Sequence, residues 1–200
     1  MGRRKRIEDE ELLTIARDLF VEKGIGISTR EIARKAGVSE AVIFQRYSTK
    51  VDLFFAAMVL PELDVDTLFT GRVGTGNVCE HLEDIALSMM AYFRKLLPIL
   101  ISLLTHPSVD SKYFLERQTD GPAHRLGARL QEYLDEERNL SRINANNTRA
   151  VATLLIATLH SLALFELMGT HIGDMGDEPI RAMVRELWYG LAPENIQPAP

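Results

Sequence analysis

Apolar residues recur at three- and four-residue intervals along most of the chain, and no run of alternating apolar and polar residues bounded by hairpin turns interrupts them. This periodicity predicts an all-α protein. A first helix is expected over residues 7–23, with Leu12, Ala16, Leu19 and Phe20 on one face and Gly24 as its stop. Two short helices should follow. Residues 61–77 hold Pro61, Gly71, Gly74 and Gly76, a density of helix breakers that reads as a linker or loop. Beyond it the pattern predicts a helix over 78–105, with Pro98 as a kink or break because proline lacks the donor the turn requires. Further helices are expected over 110–117, 122–138, 146–168 and 178–191. In the last, Ile180, Val184, Leu187, Trp188 and Leu191 form a single stripe. The domain plan is thus an N-terminal unit over 1–60, a linker over 61–77, a helical domain over 78–192 and a frayed tail over 193–200.

Charge divides the chain in the same place. Residues 1–60 carry a net charge of +2 and residues 61–200 a net charge of −7, within a total of −5. The positive excess is concentrated between Lys23 and Lys50, where Arg30, Arg34, Lys35 and Arg46 also lie, a density suited to attracting phosphates. The basic start, Met1 to Arg6, runs into Glu8, Asp9, Glu10 and Glu11 rather than an apolar stretch, so a basic arm is expected and not a signal peptide. Cys79 is the single cysteine, which excludes an intrachain disulfide and suggests a reducing compartment. Residues 150–168 approach the length of a membrane span, but His160 and Glu166 are costly in lipid. A buried or subunit-interface helix is expected there, in a cytoplasmic protein without a membrane partner.

The chemistry is concentrated in residues 28–53. Ser28 and Glu31 have capping-box spacing, Ile32, Ala33 and Ala36 form a buried side, and Gly37 ends the helix. After a tight turn Ser39 is positioned to cap a second helix, whose Ile43 and Tyr47 face inward with Val38 and leave Glu40, Ala41, Gln45 and Arg46 facing outward. Thr49 and Asp52 repeat the capping box, and Lys50 beside that cap can meet a phosphate. Two short helices around a glycine turn make a helix-turn-helix, whose second helix enters the DNA major groove. Ser28, Ser39 and Thr49 fit two roles, as caps and as phosphate partners.

Ile32-Ala33, Ala36-Gly37-Val38-Ser39, Ile43-Phe44, Tyr47 and Thr49-Lys50 through Leu53 resemble, without a gap, the N-terminal signature of the tetracycline-repressor family of bacterial transcription regulators. The resemblance implies that Ser28, Thr29, Arg30, Ser39, Glu40, Ala41, Phe44, Gln45, Arg46 and Lys50 form the surface toward double-stranded operator DNA. It also implies that the C-terminal helices enclose an effector cavity, with the last two pairing across a homodimer. Two positions depart from the family pattern. Phe44 stands where tyrosine is usual and lacks a hydroxyl for a phosphate, and Arg46 stands where histidine is common and offers a substitute contact.

No nucleophile elbow, His-Glu-x-x-His, Glu-x-x-His repeat or dinucleotide fingerprint in its proper context occurs, so neither an enzyme nor a cofactor or metal requirement is expected. Helical bundles build ligand sites between facing helices. Met89, Met90, Tyr92, Phe93, Phe114, His160 and Phe165 are therefore candidate lining residues for a small, mainly apolar effector, with ordinary core packing as the competing assignment for each. Leu164, Met168, Val184, Leu187, Trp188 and Leu191 are candidate dimer contacts. An isologous dimer would place two recognition helices about one DNA turn, ~34 Å, apart on a palindrome. The resulting reading is a dimeric regulator, a repressor released by its effector. The alternative is a ligand-binding or protein-interaction dimer with a vestigial helix-turn-helix.

Overall fold

The computed structural model describes residues 7–110, 112, 122–170 and 176–190. Among these residues there are nine helices and no strand: α1 (Asp9–Lys23), α2 (Thr29–Ala36), α3 (Glu40–Arg46), α4 (Lys50–Ala57), α5 (Val65–Phe69), α6 (Val78–Leu104), α7 (Pro122–Asn139), α8 (Thr148–Met168) and α9 (Asp177–Tyr189). They fall into two compact units, Met1–Pro61 with Pro98–Leu115, and Glu62–Leu97 with Glu116–Pro200.

The first unit is organised around Phe20 and Phe54, whose rings meet edge to face at 5.2 Å. Leu12 and Ala16 of α1, Ile32 of α2, Ile43 of α3 and Leu53 of α4 close around them, joined by Ile99 and Leu103. Local signals set the helix limits. Asp9, Glu10 and Glu11 occupy the first turn of α1 and Lys23 its last, matching the helix dipole. Arg17 Nε donates to the carbonyl of Ala57 across 2.7 Å, satisfying an acceptor at the end of α4.

The second unit buries Val65 and Phe69 of α5, Leu82, Ile85, Met89 and Phe93 of α6, Leu126, Leu130 and Tyr133 of α7, and Leu155, Leu159 and Ala163 of α8. Ion pairs join its helices. Glu83 of α6 receives Arg181 and Arg185 of α9, while Arg94 of α6 forks onto Glu166 of α8 at 2.7 and 2.8 Å. The turns ahead of α6 are stapled down: Arg142 donates to the carbonyls of Thr75 and Gly76 and pairs with Glu137, which also accepts the Gly74 N–H.

The structure departs from the periodicity at several points. Residues 61–77, expected as linker or loop, contain α5, which Asp64 caps by accepting the Thr67 N–H and which buries Val65 and Phe69. Pro98 does not break α6, which continues to Leu104, and Pro98–Leu115 groups with the N-terminal helices. The C-terminal stripe faces the chain's own core: Ile180 and Val184 are fully buried, so Val184 is a core residue and not a free interface position. All but residues 110 and 112 of the 110–117 helix, together with Leu191 and the 193–200 tail, lie outside the described residues.

Both α6 and α8 are long and apolar enough, by length and composition, to cross a membrane. They differ in burial, with 44% of the relevant α6 window buried and only 22% of that of α8. The uncovered side of α8 carries Ala150, Leu154, Ala157, Ser161, Phe165 and Met168, spaced as one face of the helix. Leu154 is 60% exposed and Met168 61%.

Candidate nucleic-acid interface

α2 begins at Ser28, whose Oγ accepts the Glu31 N–H at 3.2 Å. The reciprocal half of the expected capping box is replaced: the Glu31 carboxylate pairs instead with Lys23 of α1, which holds Glu31 below the usual carboxylate range and raises Lys23. Gly37 ends the helix at φ 70°, a left-handed conformation that a side chain makes costly. Its N–H reaches Arg34 O, and the Val38 N–H reaches Ala33 O, turning the chain into α3.

Ser39 precedes α3 without a side-chain cap, contrary to the expected role, and Glu40 in the first turn accepts the Thr29 hydroxyl. Ile43 is fully buried and anchors α3 to the core, with Tyr47 and Val38 packed beside it. Burial raises the Tyr47 phenol, and Asp9 adds to the effect. α4 starts with the complete capping box, Asp52 N–H to Thr49 Oγ1 at 3.1 Å and Thr49 N–H to Asp52 Oδ2 at 2.9 Å.

These local structures sort the sequence candidates. Ser28, Arg30, Ala41, Phe44 and Gln45 are exposed, and Ser39, Glu40, Arg46 and Lys50 are half-buried. Thr29 is buried and serves the interior bond to Glu40. Arg46 does not face freely outward as its helical position predicts. Its guanidinium reaches back to the Ile7 carbonyl at 2.7 Å and the Asp9 carboxylate at 2.8 Å. Arg34 and Lys35, which in the sequence stand out only by their charge, are exposed on α2. The unit therefore exposes the neutral side chains Ala41, Phe44 and Gln45 on α3, with exposed cations on α2 and the half-buried Lys50 at the start of α4.

Among the described residues, the effector candidates differ in placement. Met89, Met90, Tyr92 and Phe93 are buried core residues, Phe165 is exposed, and Phe114 lies outside the described residues. His160 meets the Phe93 ring edge to face at 5.5 Å and lines a groove of about 480 Å³ along α7 and α8. Gly127, Ala128, Ala152, Ile156 and Ala157 supply the apolar part of that groove, with His124, Gln131, Arg149 and Thr153 at its polar positions. Periodicity did not identify this groove because most of its lining is small or polar. Among the dimer candidates, Leu164, Leu187 and Trp188 are half-buried and Met168 is exposed.

Residues 12–57 match the family described as bacterial regulatory proteins, tetR family. The chain is similar to the HTH-type transcriptional activator FasR of Mycolicibacterium smegmatis, at 25% identity over 194 residues, covering 91% of this chain and 82% of that protein. Solved structures share the fold. A TetR-family transcriptional regulator from Mesorhizobium loti superposes with a TM-score of 0.60 at 20% identity, over 92% of this chain and 96% of that one. NalD of Pseudomonas aeruginosa, the secondary repressor of the MexAB-OprM multidrug efflux pump, gives 0.59 at 19% identity, over 92% and 96%. A transcriptional regulator from Saccharomonospora viridis in complex with choline gives 0.63 at 15% identity, over 92% and 97%.

Proposed function

Because this chain is a DNA-binding transcriptional regulator of the tetR family, we propose that it acts in the cytoplasm as a homodimer that represses by occupying a palindromic operator and leaves it when a small, mainly apolar effector binds. The observation that carries this reading is the exposure of Ala41, Phe44 and Gln45 on α3 together with exposed Arg30, Arg34 and Lys35 on α2, the helix packed against it. Cations for phosphates and side chains that reach base edges are the two kinds of contact that sequence-specific binding combines.

The uncovered face of α8 supports dimerisation. A second copy buries Leu154, Phe165 and Met168 without placing the exposed Arg149 and the ion-paired Glu166 in lipid. The groove beside that face is the proposed effector site, its volume being within the range of small-molecule sites. Its apolar lining suits the body of the effector, with Arg149, His124 and His160 as polar anchors. Lying next to the dimer seam, a bound effector shifts the two recognition helices as far as its affinity differs between the two dimer geometries. Repression by occupancy needs only the DNA contacts the first unit offers. FasR is described as an activator and NalD as a repressor, so the sign is read from a promoter fusion.

Selection of the purified chain against a random duplex library at about 150 mM salt, where phosphate attraction alone is suppressed, tests the reading. The expected product is a palindrome with half-sites about one turn, ~34 Å, or a multiple apart. An enriched site without two-fold symmetry overturns the dimer. A groove ligand that leaves operator affinity unchanged overturns the release mechanism.

A further inference from the structure

The exposed surface of α3 has a composition that points to particular bases. Ala41, Phe44 and Gln45 are exposed at i, i+3 and i+4, so they form one continuous patch. The two ionisable side chains of the same helix are engaged within the unit: Glu40 accepts the Thr29 hydroxyl, and Arg46 is bound to Ile7 and Asp9. The three exposed side chains thus present a methyl group, a phenyl ring and one amide, while the half-buried Glu40 carboxylate and Arg46 guanidinium at the two ends of the helix are held by Thr29 and by Ile7 and Asp9. Positive charge stands on other helices of the unit, at exposed Arg30, Arg34 and Lys35 of α2 and half-buried Lys50 at the start of α4.

Base pairs in the major groove are distinguished by different side-chain chemistry. Guanine O6 and N7 are matched by Arg or Lys, cytosine N4 by a carboxylate, adenine N6 and N7 by the paired donor and acceptor of an amide, and the thymine methyl by an apolar group. Phe44 is decisive. It is 45% exposed and cannot hydrogen bond. Every base-pair edge displays polar atoms whose bonds a phenyl ring cannot replace, and a G·C edge offers no methyl group to offset that cost. The thymine C5 methyl is the apolar feature of the groove floor that a phenyl ring can cover.

Resting on the DNA-binding reading above, we propose that α3 reads consecutive A·T pairs, the Gln45 amide pairing with an adenine while Ala41 and Phe44 pack on thymine methyl groups of neighbouring pairs. Side chains one turn apart lie about 5–6 Å from one another, against a rise of ~3.4 Å per base pair, so the patch spans two to three pairs.

The test uses the 200-residue chain and its selected operator, with thymines replaced by uracil one position at a time. Uracil keeps every phosphate and hydrogen-bonding group and lacks only the methyl. Each half-site is expected to contain at least two adjacent A·T pairs. Removing the methyl beneath Phe44 should weaken binding roughly fourfold, the value of burying one methyl group, and this loss should vanish in Phe44→Ala. Gln45→Ala should lose at least about fivefold on the selected site and relax the preference at its adenine. Both side chains are exposed, so the variants should keep the helical spectrum of the parent. Half-sites read only at G·C pairs, or affinity unchanged at every uracil, overturn the A·T assignment and leave DNA binding standing. Failure of the folded protein to enrich any site overturns both.

Discussion

Arg46 Nη2 donates to the carbonyl oxygen of Ile7 across 2.7 Å, joining the last residue of α3 to the chain just ahead of α1. Ile7 is itself buried in the core of the unit, and the same guanidinium pairs with Asp9, so the recognition helix is fastened at its C-terminal end to the start of the domain. Arg46→Ala should cost about 1–2 kcal/mol in urea unfolding, the value of a partly screened charge-assisted bond. Arg46→Lys should recover little, because one ammonium lacks the fork that reaches both acceptors. Full stability in Arg46→Ala would show that the bond does not hold α3.

The turn between α2 and α3 depends on the backbone of Gly37. A Cβ at this position would meet nothing within 4 Å, so the φ of 70° is the whole cost of a side chain. Gly37→Ala should lower stability by about 1–2 kcal/mol and Gly37→Asn by less, since asparagine tolerates the left-handed region. Thermal denaturation of the two variants checks the order, and an alanine variant as stable as the parent would contradict it.

Glu83 links α6 to α9 through Arg181 at 2.8 Å and Arg185 at 2.9 Å. Burial alone would raise its carboxyl, but the hydrogen bonds and charges of the two guanidinium groups outweigh it and hold Glu83 below its ordinary value of 4.5. A depressed carboxyl contributes stability above the unfolded value and loses it as pH falls through the folded one. Stability should therefore decline from about pH 5 downward. Glu83→Gln should be less stable than the parent near neutrality and show a shallower acid decline. Parallel pH profiles of the two proteins would exclude Glu83 as the source.

The proposed dimer seam predicts that Leu154→Glu, at an exposed site on α8, leaves each chain folded and yields monomers in sedimentation equilibrium. Operator affinity should fall by at least about tenfold, because two half-sites are no longer bound as one unit. A dimer of unchanged stability in this variant would move the seam off this face.

How much was legible in the sequence follows from the range of each interaction. The Thr49 and Asp52 cap, the Gly37 turn and the buried positions of α1 and α2 involve neighbours within one helical turn, and residue type at a fixed spacing is enough to find them. The helix-turn-helix and its family signature consist largely of such short-range features. Periodicity groups residues onto a face but does not say what covers that face. Val184 therefore shared a stripe that suited a dimer and proved to pack inside its own chain, whereas the opposite outcome, an uncovered apolar side, fell to α8. Arg46 followed the helical rule that placed it outward until a carbonyl 39 residues away in sequence captured it. The same holds for α5, where burial of Val65 and Phe69 stabilises a helix among glycines and prolines that signal a loop. Local chemistry along the chain determines where helices start and stop. Which surfaces remain free for DNA, effector or partner depends on contacts between residues far apart in sequence, and these exist only once the chain has packed.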